Sequence, residues 1–147
     1  MLIDKLFTKY DTQGEKGVNY LSEHFVFLLS WLITSFFVYL AHIIFPDSVV
    51  LGNYKFGLID AIIYSGFWIS FLNWAIKDLV VVRGLHPESR FGSLVFYILI
   101  GSAAVWTVAR FAPFTGLGIV NYRWALLLGL FIGFSVARVK TFIKPAR

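Results

Sequence analysis

Residues 25–45 read FVFLLSWLITSFFVYLAHIIF, twenty-one residues without an Asp, Glu, Lys or Arg. An α-helix needs about 20 apolar residues to cross the hydrocarbon layer. Three more such runs follow. Residues 57–82 begin GLIDAIIYSGFWISFLNWAI, and residues 91–112 read FGSLVFYILIGSAAVWTVARFA. Residues 124–143 form the weakest run, because Arg138 and Lys140 near its end must reach back to the headgroups.

Composition agrees with that reading. The chain is 59% hydrophobic and 14% charged, whereas a soluble domain carries about 25% charged residues. A soluble fold of this length buries only about two-thirds of its surface, so bilayer is the fitting solvent for so much apolar side chain. We expect one membrane domain over residues 1–147. The first 24 residues are of mixed charge with no small-residue cleavage site, so the first span is expected to be retained. No cysteine is present, which excludes disulfides, thiolate metal sites and a Cys nucleophile.

Charge sets the expected orientation. Lys5, Lys9, Lys16, Lys77, Arg83, Arg90, Arg138, Lys140, Lys144 and Arg147 fall on one side of a four-span layout. They are ten of the thirteen basic residues, and only Lys55, Arg110 and Arg123 fall on the other. The richer side faces the cytoplasm. The expectation is a multi-pass protein of the plasma (inner) membrane with both termini cytoplasmic. The net charge of +5 thus reads as a topology signal, and no nucleic-acid partner is expected. Tyr54, Tyr122 and Trp124 belong to the outer aromatic belt, Tyr20 and Trp74 to the inner one.

The tail 1–21 has a pattern of its own. Ile3, Leu6, Phe7 and Tyr10 recur at i, i+3, i+4, i+7, and Gly14 and Gly17 close the pattern. This predicts a short amphipathic helix on the inner membrane surface.

The two halves repeat at an offset of 68 residues. Asn53-Tyr54-Lys55-Phe56 matches Asn121-Tyr122-Arg123-Trp124. Ala41-His42 matches Ala109-Arg110, and Pro46 matches Pro113 with a one-residue slip. Gly57, Ala61 and Ser65 match Ala125, Gly129 and Gly133. Small residues at i, i+4, i+8 let helix backbones approach closely in a membrane. The expected fold is all-α: a four-helix bundle of two repeated helical hairpins, with the short N-terminal interfacial helix.

Few residues suit chemistry. Asp60, His42 and Arg110 lie at similar depth near the outer surface, and ionisable groups within spans are the first candidates for function. They form a candidate polar cluster, in which Asp60 pairs with Arg110 or His42. Its plainer reading is snorkelling with one structural ion pair. On the inner side Glu23, His24, Asn73, Lys77 and Asp78 read as interface anchors. His24, His42 and His86 are far apart in sequence and lack the carboxylate spacing of a metal site. No phosphate loop, nucleophile elbow or zinc-protease pattern occurs. No enzyme activity, catalytic residue, cofactor or metal is expected.

Several landmarks are similar to the phage-holin superfamily IV, including the YvlD-like membrane proteins. Phe71-Leu72-Asn73 with Lys77 resembles that family's Leu-Leu-Asn with a basic residue four on. His86-Pro87 resembles its Leu-Pro, and Trp106 with Pro113 resembles the close of its third span. Pro113-Phe114, Gly118 and the segment Tyr122 to Gly129 resemble its last turn and span. The likeness covers residues 38–140. Asp78 stands where the family has Pro, and the Gly after Pro113 is missing. The resemblance implies four spans with repeated halves and no settled activity. Phe134, Arg138 and Phe142 also resemble the terminal pattern of GtrA-like translocases of lipid-linked sugars, with Ala137 in place of an Asn.

The functional expectation is a small non-enzymatic membrane protein working through helix–helix association. It would act as a homo-oligomer or as an accessory subunit of a larger membrane complex, with the lipid bilayer as its other partner. The alternative is a holin-like pore former or a GtrA-like translocator.

Overall fold

The computed structural model describes the backbone of residues 2–85 and 87–143, and the side chains of residues 22–85, 87–139 and 142–143. The element order is α1 (Leu2–Ile44), β1 (Val49–Leu51), α2 (Leu58–Val82), α3 (Arg90–Arg110), α4 (Ala112–Thr115), β2 (Leu117–Ile119) and α5 (Tyr122–Ile143). Four stretches are long and apolar enough to cross a membrane: Ser22–Ile44, Leu58–Val82, Arg90–Arg110 and Tyr122–Val139. They match the expected spans to within a few residues. The backbone of α1 is helical through Gly14 and Gly17, where the sequence pattern suggested a stop. The side chains of Ile3, Leu6, Phe7 and Tyr10, and all of His86, lie outside the described residues.

Helix limits follow local chemistry. Ser89 caps α3, its hydroxyl accepting from the Gly92 amide at 2.9 Å, which satisfies one of the orphan donors of a first turn. Pro46 lies two residues beyond the end of α1, and Pro113 sits in the first turn of α4, where a missing N–H costs nothing.

The spans pack in the cyclic order α1, α2, α3, α5, so each hairpin lies against the other along both edges. Their connections meet at one end in a two-stranded antiparallel ribbon. Val49 pairs with Ile119, Val50 with Gly118 and Leu51 with Leu117. The central pair, Val50 and Gly118, is 68 residues apart in sequence. The flanking bonds exchange under that same shift: Gly52 N–H donates to the Gly116 carbonyl at 2.8 Å, and Val120 N–H to the Ser48 carbonyl at 3.1 Å. Gly116 has φ +75°, and a Cβ there would also lie 2.7 Å from that of Ala61. Only glycine meets both demands without strain. The free ends of the helices, with the α2–α3 turn, lie at the opposite or terminal end.

The interior is layered. Val38, Ile69, Val105 and Ile132 are fully or almost fully buried at mid-bundle, with Val49 and Leu117 of the ribbon above them. Buried hydroxyls among them are paired. Ser70 and Thr34 share a bond at 3.2 Å across α1 and α2, Ser65 donates to the Ala61 carbonyl and Ser102 to that of Ile98. Such bonds remove the penalty of a polar group in hydrocarbon.

Candidate ligand cavity among the four spans

At the ribbon end the three residues of the expected polar cluster do not come together. The His42 ring meets the Val49 carbonyl at 2.9 Å. A carbonyl only accepts, so Nδ1 carries the proton, and the bond ties the end of α1 to β1. The Arg110 guanidinium lies 3.9 Å over the Trp106 ring of its own helix. Asp60 is exposed in the first turn of α2, where the helix dipole favours a carboxylate. No ion pair joins Asp60 to either of the other two. His42 is held by the ribbon and Arg110 by its own helix, while Asp60 stays exposed.

The small-residue stripes lie for the most part inside the bundle. Ala61, Ser65, Ala125, Gly129 and Gly133 are buried inside the chain. A methyl on Gly129 would meet the Ser102 hydroxyl and backbone, and one on Gly133 would lie 2.9 Å from the Tyr97 carbonyl. Gly101 faces the Gly129 carbonyl at 3.0 Å in the same sense. A Cβ on Gly66 would strike Ser35 of α1. Gly57 is the exception. It is exposed at the start of α2 and meets only its own Asp60. These faces build the bundle, and a second chain could not use them without opening it.

A cavity of about 440 Å³ lies at the terminal end, between all four spans. From α1 come Glu23, Val26, Phe27 and Ser30; from α2 come Ser70, Asn73, Trp74, Lys77 and Asp78. Tyr97 of α3 and Val136 of α5 complete it. Both main walls use i, i+3, i+4, i+7 spacing, which keeps those side chains on one helix face. Glu23 and Asp78 are exposed at the mouth, with Lys77 half-buried. Seven residues of helix separate Glu23 from Ser30, a depth of about 10 Å. Beyond lies the Thr34–Ser70 bond and the apolar layer at Val38 and Ile69, which close the cavity toward the ribbon.

Two groups in the depth of this cavity are unusual. Ser30 is 7% exposed and Asn73 is 6% exposed. Neither side chain has a hydrogen-bond partner among the described residues, yet among those residues no unpartnered side-chain nitrogen or oxygen is fully buried. Their polar atoms therefore face the cavity. A buried donor or acceptor without a partner costs about 1–3 kcal/mol, a cost that a ligand or water in the cavity removes. Read along the sequence, Glu23, Asn73, Lys77 and Asp78 look like separate interface anchors. The shared helical spacing on the two walls was the signal that they form one surface.

A second cleft, of about 540 Å³, lies near the ribbon between α2 and α3. Its walls are Phe56, Tyr64, Trp68, Leu72, Phe111 and Phe114, with Lys55 at the rim. The Lys55 ammonium stands 5.5 Å from the Tyr54 ring and 5.7 Å from the Phe114 ring. Its two threonine hydroxyls are bonded to backbone carbonyls, Thr107 to Ala103 at 2.8 Å and Thr115 to Val108 at 3.1 Å. Both threonines are thus satisfied within the chain, and the cleft reads as a lipid-facing gap.

Among the described residues no three His, Cys, Asp or Glu side chains gather to hold a metal. Comparison with known proteins found no matching family model, no similar curated protein and no similar solved structure.

Proposed function

We propose that this chain is a non-enzymatic multi-pass protein of the plasma (inner) membrane that takes a polar-headed ligand into the cavity at its terminal end. Both termini, and hence the mouth of the cavity, lie on the cytoplasmic side, as the charge count supports. The observation that carries the reading is the pair Ser30 and Asn73, buried, without a partner among the described residues and lining the same space. Of the expected functions this is nearest to the translocator. A plugged middle, closed by Val38, Ile69, Val105 and Ile132, supports binding and passage over an open holin-like pore. Two hairpins packed on each other are also an architecture in which halves can rock about a central site.

The test is native mass spectrometry of the protein purified in mild detergent. Wild type should carry a bound small molecule that Asn73→Leu loses. Spectra of bare chain for both proteins would end the proposal.

Association with itself or with a larger complex is a second reading. The surface that favours it is an aromatic row on α1 and α2, in which Phe67 meets Trp31 at 5.6 Å and Phe71 meets Trp74 at 6.1 Å between ring centroids. Trp68, Phe71 and Trp74 of that row are exposed. The same spectra report it: masses of dimers or of co-purifying subunits support it, and a lone monomer counts against it.

A further inference from the structure

We propose that the cleft between α2 and α3 at the ribbon end holds one acyl chain of an anionic phospholipid, with Lys55 meeting its phosphate. The walls are apolar, and Tyr64, Trp68, Phe111 and Phe114 are exposed. The α2 side runs from Tyr64 to Leu72, about 12 Å of helix. Lys55 precedes α2, so its charge stands at headgroup level while the apolar wall continues into the depth of the hydrocarbon. Among the described residues Lys55 is the one charged group in the wall, and it makes no ion pair, having the Tyr54 and Phe114 rings as its neighbours. Asp60, one turn into α2, does not line the cleft. The ribbon end carries Lys55, Arg110 and Arg123 against Asp47 and Asp60, so the wider charge favours an anion as well.

The internal repeat shows what this seam lacks. The exchange that carries β1 onto β2 carries the α2–α3 seam onto the one between α5 and α1. There Phe45 and Trp124 stack across the seam with ring centroids 4.3 Å apart. Phe45 stands before Pro46, and Ala112 stands in the same place before Pro113. Phe56, the match of Trp124, meets Tyr64 of α2 at 5.3 Å rather than a ring across the seam. A methyl group where the other half has a ring leaves this seam open. An empty space forfeits the contacts of its lining, and within a bilayer the molecule at hand to restore them is a lipid chain.

The experiment titrates the whole chain in dodecyl maltoside with dioleoyl phosphatidylglycerol or dioleoyl phosphatidylcholine and counts bound lipid by native mass spectrometry. The two lipids share their chains, so the difference between them reads the headgroup charge. Phosphatidylglycerol should bind about fivefold more tightly, the factor that one lysine near a lipid surface supplies. Lys55→Gln should remove that preference and Lys55→Arg should keep it. Arg123→Gln, at the matched position beside the bridged seam, should leave it unchanged. Thr107→Trp puts a ring into the cleft at an exposed residue whose hydroxyl bonds only its own helix, and it should weaken both lipids by a similar factor. If Lys55→Gln and Arg123→Gln weaken phosphatidylglycerol equally, the attraction is diffuse surface charge and the site is overturned. Equal binding of the two lipids, no response to Lys55→Gln or to Thr107→Trp, or a bound protein chain that Thr107→Trp releases would overturn it too.

Discussion

The Gly129 Cα faces Ser102 so closely that an added methyl would lie 2.6 Å from the Ser102 Cα and collide with its amide and hydroxyl. Backbone stands opposite, so α3 and α5 must separate to admit any side chain. Gly129→Ala should therefore destabilise the protein by about 1–3 kcal/mol, the usual cost of overpacking. Gly129→Leu with Gly133→Leu should prevent the bundle from closing at all. Thermal unfolding in detergent measures the first, and yield of monodisperse protein the second. If the double variant folds and merely changes oligomeric size, the stripe is an outer surface and the packing described here is wrong.

The two matched asparagines should differ in importance. Asn53 Oδ1 accepts from the Lys55 and Phe56 amides at 2.8 and 2.9 Å, and its Nδ2 donates to the Ala112 carbonyl at 2.8 Å. It thereby ties the start of α2 to α4. Asn121 Oδ1 accepts from the Arg123 amide at 3.1 Å, and its side chain makes no bond across the ribbon end among the described residues. At about 1 kcal/mol per bond, Asn53→Ala should cost about 2–3 kcal/mol and Asn121→Ala about 1 kcal/mol or less. Asn53→Asp keeps the accepting oxygen but loses the donor, so it should fall between wild type and Asn53→Ala. Equal losses at both sites would contradict this assignment.

Why some of this was legible in the sequence and some not is a matter of range. A run such as residues 25–45 declares a span by itself, since length and lack of charge are local properties. The ribbon did not, because strands of three residues, VVL and LGI, are too short to show alternation. The small-residue stripes were visible, but the face they meet depends on helix rotation. Gly129 looks outward or inward only once Ser102 is known to lie opposite. The cavity was hardest, since it needs four helices at fixed rotations. Even so, Glu23, Phe27 and Ser30 share one face of α1, and Ser70, Asn73 and Lys77 share one face of α2. That polar register in two neighbouring spans was readable.

The residues first suspected at the outer surface should matter little to ligand binding. Asp60 is exposed and pairs with neither His42 nor Arg110. Asp60→Asn should change stability by no more than about 0.5 kcal/mol, as other surface changes do. His42→Ala loses the bond to the Val49 carbonyl and should cost about 1 kcal/mol. Neither substitution touches the cavity, so native mass spectra of both variants should show the same bound small molecule as wild type. Loss of that mass on Asp60→Asn would move the site to the ribbon end.

The absence of cysteine makes the orientation directly testable. A single cysteine can replace Tyr54, 83% exposed beside the ribbon, or Val82, 86% exposed at the end of α2. The two positions lie toward opposite ends of α2, Tyr54 in the connection before it and Val82 as its last residue. A thiol reagent that cannot cross the membrane, added to intact cells, should label Tyr54→Cys and leave Val82→Cys untouched until the membrane is opened. The same order should hold for Asp47→Cys near the ribbon and Glu88→Cys in the α2–α3 turn. The expected direction follows from the ten basic residues on one side of the four-span layout, since each would otherwise have to be carried across the bilayer. The reverse labelling order would place Glu23, Lys77 and Asp78 outside the cell, and the cavity would then open to extracellular ligands.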